Sequence, residues 1–496
     1  MDSTIVRQVE IINTQMQRLL EPHDDDNSSS CIFRVPQSLL QINKEAYQPQ
    51  IVSIGPYHHG KDLPMIEKHK WRYLYRLQKR MLSKTDEPLK LLLYRIMSME
   101  KRIRESYSES ILYSSEDLAK MMLLDGVFLI VLFLKFRKRY LQKDPIFKMV
   151  WVLPFLMRDF LMIENQIPFF VLEDLFYASR TKDDSLTLQT LILEFFNYGA
   201  LRPKKVLSKY VDLKGKHLLD FFRKSFLVKK RYASIGNGPY RQFSECACLK
   251  RKHFLNLFLK RDLKETVESP RYETPDDDNS VVSISTEDYD ETPVSFALTR
   301  KKETSDDDTS FERIQPATKL VVAGLKFKKN HEAKSFLDIK FQNGVLSIPH
   351  INLDDFYTHF ILNGIIFEQC YSNCSKDITT YIVFLGCLIN TSMDVGLLSD
   401  SKIIHNYLGT DKELVKFFNN VGKYVAFDID DNYLKNVFRE INEYCDNGWH
   451  VGWAGFKHTY FDSPWTFISA FAAFVLLCLA GLQTFYTVYP YYYERI

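Results

Sequence analysis

The stretch MIENQIPFFVLEDLF, Met162 to Phe176, sets a carboxylate and two amides, Glu164, Asn165 and Gln166, inside an apolar run and follows them with Pro168. A carboxylate buried there would have its pKa raised, which is how general acids and bases are tuned. His58-His59 in GPYHHG offers two imidazoles as metal ligands or bases. Adjacent side chains of an extended segment point to opposite sides, so joint chelation is awkward, and the competing reading is a turn between Gly55 and Gly60. Cys246, Cys248 and His253, with Cys370 and Cys374, match no closed zinc spacing. The chain contains no Walker loop, nucleophile elbow, dinucleotide fingerprint or HExxH pattern. No catalytic, cofactor-binding or metal-binding residue is therefore assigned, and no cofactor is expected.

The elements that must position Glu164 favour a structural role for it. Ile167 precedes a proline, which disfavours helical geometry, and Pro168 suits the first turn of a new helix. Glu164, Asn165 and Gln166 then fall where one buried helix ends and another starts, beside backbone groups that need partners. On this reading the three form a polar cluster at a helix break, and at least one bonds to backbone there.

Helical periodicity recurs over Met65–Arg80, Leu89–Tyr107, Leu118–Leu134, Val150–Ile163, Phe169–Tyr177 and Leu186–Phe196. Ser114 and Asp117 form a capping-box pattern ahead of the third of these. Past the middle, Asp354–Glu368, Ile378–Asn390 and Asp411–Asn420 read as helix again, and Asp430–Tyr444 leads towards the terminal span. The clearest strand signal is FLDIKFQNGVLSIPHI, where Asn343-Gly344 makes a two-residue hairpin turn. That turn sets Phe341 opposite Leu346, Ile339 opposite Ile348 and Lys340 opposite Ser347. The expected fold is mainly α: a multi-helix globular domain with a small β-hairpin near 336–350 and one C-terminal transmembrane helix.

Charge divides the chain further. Asp262 to Glu312 holds 16 Asp/Glu against 5 Lys/Arg, so the formal +3 of the whole conceals a basic remainder, concentrated from Lys204 to Lys252. The acidic stretch has too few large apolar residues to offset chain entropy and reads as a disordered insertion. The basic stretch could attract phosphates or an anionic membrane surface, or form a solvated face. Without a zinc-finger, basic-zipper or RNA-binding signature beside it, nucleic acid is not an expected partner. Eight cysteines are too sparse for a disulfide scaffold. The expected organisation is an amphipathic helix and polar linker over 1–30, a first helical part over 31–262, the acidic insertion over 263–312, a second helical part over 313–460, a span over 463–489 and a tail over 490–496.

From Ser463 to Tyr493 there are 31 residues without a charge. Ser463 suits an N-cap, Pro464 the first helical position, and Thr466–Val488 is close to the roughly 20 residues a bilayer core requires. Trp465 at one end and Tyr486 and Tyr489 at the other are placed for the two membrane interfaces, with Pro490 expected to end the helix. By contrast, only nine residues separate Asp125 from Lys135 in LLDGVFLIVLFLKF, which suits a core helix. The N-terminus lacks the apolar run of a secretory signal, so the expected topology is a single-pass tail anchor with the bulk in the cytosol.

IVSIGPYHHG, MMLLDGVFLI, MIENQIPFFVLEDLF, LDIKFQNGVLSIP, FEQC, CLINTSMDVGLL and YFDSPW before a terminal span occur in that order. The ordered set resembles the plant family of domain of unknown function 247, also called uncharacterised protein family 0481, from about Cys31 onward. The resemblance implies a plant protein, a mostly helical fold and a membrane anchor, and it brings no established catalytic residues. Some grass members of that family are associated with self-incompatibility as male determinants, others with development or disease response. The expected function is a non-enzymatic, membrane-anchored recognition or signalling protein acting through a protein partner, with homo- or hetero-oligomers both open. The alternatives are a self-incompatibility male determinant, or an unrecognised enzyme with a cleft near Glu164 or His58.

Overall fold

The computed structural model describes residues 30–40, 43–61, 63–83, 85–137, 144–180, 186–227, 313–429, 431–447 and 464–493, together with Arg7 and Val9. The chain divides into two units, one of 1–29 with 229–293 and one of 30–228 with 294–496. Of the first unit only Arg7 and Val9 are described, both helical. The acidic insertion over 263–312, most of the basic stretch beyond Lys224, and Cys246, Cys248 and His253 lie outside the described residues.

The second unit is mainly helical, as its periodicity implies. Its helices of seven or more residues are α1 (Pro64–Met81), α2 (Pro88–Ser98), α3 (Ser115–Arg137), α4 (Val152–Asp159), α5 (Phe169–Ser179), α6 (Leu188–Ala200), α7 (Leu218–Lys224), α8 (Asp355–Cys370), α9 (Asp377–Leu388), α10 (Ser392–Asp400), α11 (Asp411–Tyr424), α12 (Lys435–Asp446) and α13 (Pro464–Tyr493). Two of them are central. Every residue of α3 from Met121 to Phe133 is buried, as is every residue of α8 from Phe356 to Glu368. A helix that is apolar all round must be enclosed by others. Accordingly α1, α2, α5 and α6 surround α3, while α4, α7 and α9 pack on α8. Gly126 lets α3 and α5 approach closely, because a Cβ there would lie 2.5 Å from Leu175 Cδ1.

Aromatic rings join the two centres. Phe133 of α3 meets Phe195 of α6 at 4.9 Å between ring centroids, Phe196 meets Phe222 of α7 at 5.0 Å, and Phe222 meets Phe360 of α8 at 4.9 Å. Each such pair adds about 0.5–1.5 kcal/mol beyond its buried area. A buried ion pair adds a second tie, from Arg223 Nε of α7 to Glu368 Oε1 of α8 at 2.8 Å. Glu368 also accepts the Ile378 and Thr379 N–H groups, 3.1 and 2.8 Å away, and so closes the open N-terminus of α9.

The Asn-Gly turn is present: Asn343 and Gly344 both have positive φ, 49° and 73°, and join β2 (Lys340–Gln342) to β3 (Val345–Ile348). Phe341 pairs with Leu346 and Lys340 with Ser347. The hairpin is shorter than 336–350, because Ile339 turns back to donate to Leu337 O and leaves the ladder before it can pair with Ile348. Ile348 is paired on its other side, where β1 (Lys326–Lys329) adds parallel to β3. A second sheet joins β4 (Ile351–Leu353) in parallel to β5 (Ile404–Asn406).

Several helix boundaries differ from the sequence expectation. The stretch Leu89–Tyr107 breaks at Met99 into α2 and a short helix Glu100–Glu105. At the C-terminus Pro490 does not end α13, which runs on to Tyr493. Proline removes one intrahelical hydrogen bond, and so close to the helix end little depends on it. The window Ile468–Thr487 is 20 residues long with a mean hydropathy of 2.0 and no burial against the rest of the chain. At 1.5 Å per residue this is about 30 Å of helix, the thickness of a bilayer core. Trp465 and Tyr486 are exposed near its two ends, while the side chain of Tyr489 lies outside the described residues.

Candidate functional site

Residues 51–58, IVSIGPYH, are all buried yet belong to no helix or sheet. Buried backbone N–H and C=O groups need partners, and here side chains supply most of them. Asp159, at the end of α4, accepts the N–H groups of Gln50, Ile51 and Val52 at 2.9–3.2 Å. Asn165 Oδ1 accepts Ile54 N–H at 2.7 Å, and Asp125 Oδ2 of α3 accepts Gly55 N–H at 2.8 Å. Asn165 Nδ2 donates to Val52 O at 3.1 Å and Lys70 Nζ of α1 donates to Ser53 O at 2.6 Å. The extended segment is thus held by the side chains of three different helix ends and faces.

The break after α4 is built from the same residues. Asn165 Nδ2 donates to Asp159 O at 2.9 Å, and Gln166 Nε2 donates to Phe160 O and Met162 O, each at 2.7 Å. These carbonyls lie where the helix stops, and the amides bond them beside the turn bonds that Asp159 O and Met162 O accept from the Met162 and Asn165 N–H groups. The text Val150–Ile163 therefore yields a helix that closes earlier, at Asp159. Gln166 Oε1 accepts Leu219 N–H of α7 at 3.3 Å, and Gln166 O accepts the Tyr107 hydroxyl at 3.1 Å. Gly55 has φ +76°, and a Cβ on it would lie 2.3 Å from Gln166 O. Pro168 sits immediately before α5 rather than within its first turn. Asn363 of α8, which the sequence reading missed, repeats the device: it accepts Ile163 N–H at 3.0 Å and donates to Ala46 O and His359 O. A lone asparagine in an apolar helix was the only signal for it.

Glu164 faces the other way. Its Oε1 accepts Val35 N–H at 2.7 Å, and its Oε2 lies 3.1 Å from Arg34 Nη1 and 3.2 Å from His58 Nε2. The His58 approach is out of line for a hydrogen bond, so neither ring nitrogen of this buried histidine has an aligned partner. Burial drives the His58 pKa down. The same burial opposes ionisation of Glu164, but His58, the Val35 N–H and Arg34 together outweigh it and hold its pKa below the usual carboxylate value. His59 turns outward against the Tyr113 ring at 5.5 Å, so the two histidines diverge and Glu164, not His59, is the neighbour of His58. Deeper still, Lys70 bridges Asp125 at 2.7 Å and Glu67 at 2.6 Å; burial works against its ammonium, and the two carboxylates prevail to raise its pKa.

Cys370 and Cys374 have pKa values pushed up by burial to about 11 and about 12, the opposite of a reactive thiol. Among the described residues no three His, Cys, Asp or Glu side chains are grouped to hold a metal ion.

A helical body whose buried polar groups are turned upon its own backbone, followed by one long exposed apolar helix, defines the architecture. Residues 32–479 match the family described as plant protein of unknown function, domain of unknown function 247, and the chain belongs to that family. Two Arabidopsis thaliana proteins are similar over nearly the whole chain. The UPF0481 protein At3g47200 is 34% identical over 471 residues, 94% of this chain and 88% of the relative. The putative UPF0481 protein At3g02645 is 25% identical over 532 aligned positions, 97% of this chain and 94% of the relative. No solved structure matches the chain.

Proposed function

We propose that this is a single-pass membrane-anchored recognition protein, non-enzymatic, whose helical body meets a protein partner from the cytosolic side. The observation that supports it most is α13: a window of twenty uncharged, mainly apolar residues that is not buried against the body. Left in water, such a stripe would cost about 25 cal/mol for each Å² of apolar surface, which lipid removes. The polar groups of the Glu164–Gln166 seam support the non-enzymatic part, since they are spent on holding the segments at Val35 and Ile54. Alkaline extraction of membranes from cells expressing the tagged chain tests the anchor: the chain stays in the pellet, and loss of residues 464–493 releases it. Release of the intact chain would refute it. Protease protection of an N-terminal tag tests the side, a protected tag overturning the cytosolic placement, and proximity labelling tests for a reproducible partner.

A second reading is favoured by one contact. His58, with Nε2 3.2 Å from Glu164 Oε2, has the composition of a base and its orienting carboxylate. Turnover by the purified chain that His58→Gln abolishes would establish it.

A further inference from the structure

The exposed face of α1 combines two chemistries that rarely share a water-facing helix. Lys68, Trp71, Tyr75, Lys79 and Leu82 follow one another at spacings of three and four residues, which places them on one side of the helix. Trp71 is 51% exposed, Tyr75 62% and Leu82 51%, so half or more of each large apolar surface is open. Lys120 of α3 extends the face, its ammonium 5.6 Å from the centre of the Trp71 ring. The acidic side chains on the same two helices nearby are Glu67, tied to Lys70, and Glu116 and Asp117, about one turn before Lys120, of which Asp117 is bonded to Ser114. The opposite face of α1 is the core face, with Ile66, Tyr73, Leu74 and Leu77 buried.

We infer that this face rests on the headgroup region of an anionic lipid bilayer, the same membrane that α13 enters. The inference rests on the anchoring proposed above. Tryptophan and tyrosine prefer the boundary between water and acyl chain, and lysines beside them are attracted to anionic headgroups. Seventeen chain links separate Asn447 from Pro464, at most about 60 Å of extended chain, so the body is tethered within reach of the bilayer surface. Tethering makes the contact intramolecular, and a weak interfacial face then suffices. The face offers rings and ammonium groups in a row, which fits a continuous anionic surface.

Tryptophan quenching by bromine-labelled lipid reads the contact directly. The full chain is reconstituted into vesicles of phosphatidylcholine alone or with phosphatidylserine, and the emission lost in Trp71→Phe and in Trp465→Phe identifies the share of each ring. Trp465 is the control for the anchor. The expected result is quenching of the Trp465 share in both vesicles and of the Trp71 share only with phosphatidylserine, reversed by high salt and by Lys68→Glu with Lys79→Glu. Both lysines are exposed, and circular dichroism confirms that the double variant folds. Quenching of Trp465 without Trp71 in anionic vesicles overturns the inference and leaves the anchor standing. Absence of quenching at both overturns the two together. Equal quenching of Trp71 in neutral vesicles, or its shielding by a soluble acidic polypeptide instead of by vesicles, overturns the recognition of anionic lipid.

Discussion

Replacing Asn165 with alanine strands two buried groups and takes one partner from a third. Ile54 N–H loses its acceptor at 2.7 Å, and Val52 O and Asp159 O lose donors at 3.1 and 2.9 Å. A buried polar group left without a partner costs about 1–3 kcal/mol. Asp159 O still accepts the Met162 N–H at 3.4 Å, and the vacated space admits water to Val52 O, where the lower end applies, so the sum is roughly 2–4 kcal/mol. Against a total stability on the order of 5–15 kcal/mol this is a large loss. For a body this large, whose unfolding entropy grows with its length, it corresponds to a fall in Tm of about 3–6 °C. Differential scanning fluorimetry of the detergent-solubilised chain measures it. Asn165→Asp should be worse than Asn165→Ala, because it keeps an acceptor for Ile54 but sets a carboxylate oxygen against two carbonyls and beside Asp159. A fall of less than about 2 °C for alanine, or an aspartate variant as stable as the parent, would refute the reasoning that Asn165 clamps the 51–58 segment.

Other outcomes follow from the same geometry. Gly55→Ala forces a Cβ to within 2.3 Å of the Gln166 carbonyl at φ +76°, and it should abolish accumulation of folded chain, measured by soluble yield in detergent, whereas Gly60→Ala meets no atom within 4 Å and should cost only its positive-φ strain. His217 and His359 are buried as neutral rings with pKa values of about 4, so below pH 6.5 the unfolded chain takes up protons that the folded chain refuses. Stability from them is complete above pH 6.5 and is lost as pH falls towards 4, by about 2 kcal/mol each at pH 5. Asp159 runs the other way: burial raises its pKa to about 6, so it returns stability as pH falls through 6. His359→Gln should therefore flatten the acid side of a melting-temperature profile, while Asp159→Asn should steepen it. Glu368→Gln, which unbalances the Arg223 pair and loosens the start of α9, should destabilise by about 3 kcal/mol in urea unfolding.

What the chain reveals of itself depends on distance. The Asn343-Gly344 turn was legible because turn chemistry is local and the register follows from it. Helices were legible because their periodicity repeats within a few turns. Partners of Asn165 were not, since Ile54 lies 111 residues away and an extended segment without alternating polarity carries no sign of what will bind its backbone. The same holds for His58 beside Glu164, and for the parallel addition of β1 to β3, where the hairpin offers a free edge but no signal names its occupant. Ile163 bonded to Asn363 shows the limit plainly: 200 residues separate them, and the bond is one of several that join the two parts of the helical body.

Hydrogen exchange over residues 50–58 tests the seam most directly. Those amides have no strand or helix to protect them, only Asp159, Asn165 and Asp125. If the Glu164–Gln166 region is a clamp, peptides covering Ile51 to Gly55 exchange as slowly as the centre of α3 and become fast in Asn165→Ala. Exchange in the intact chain at the rate of exposed loops would contradict it, and would reopen the seam as a site with work other than holding the fold.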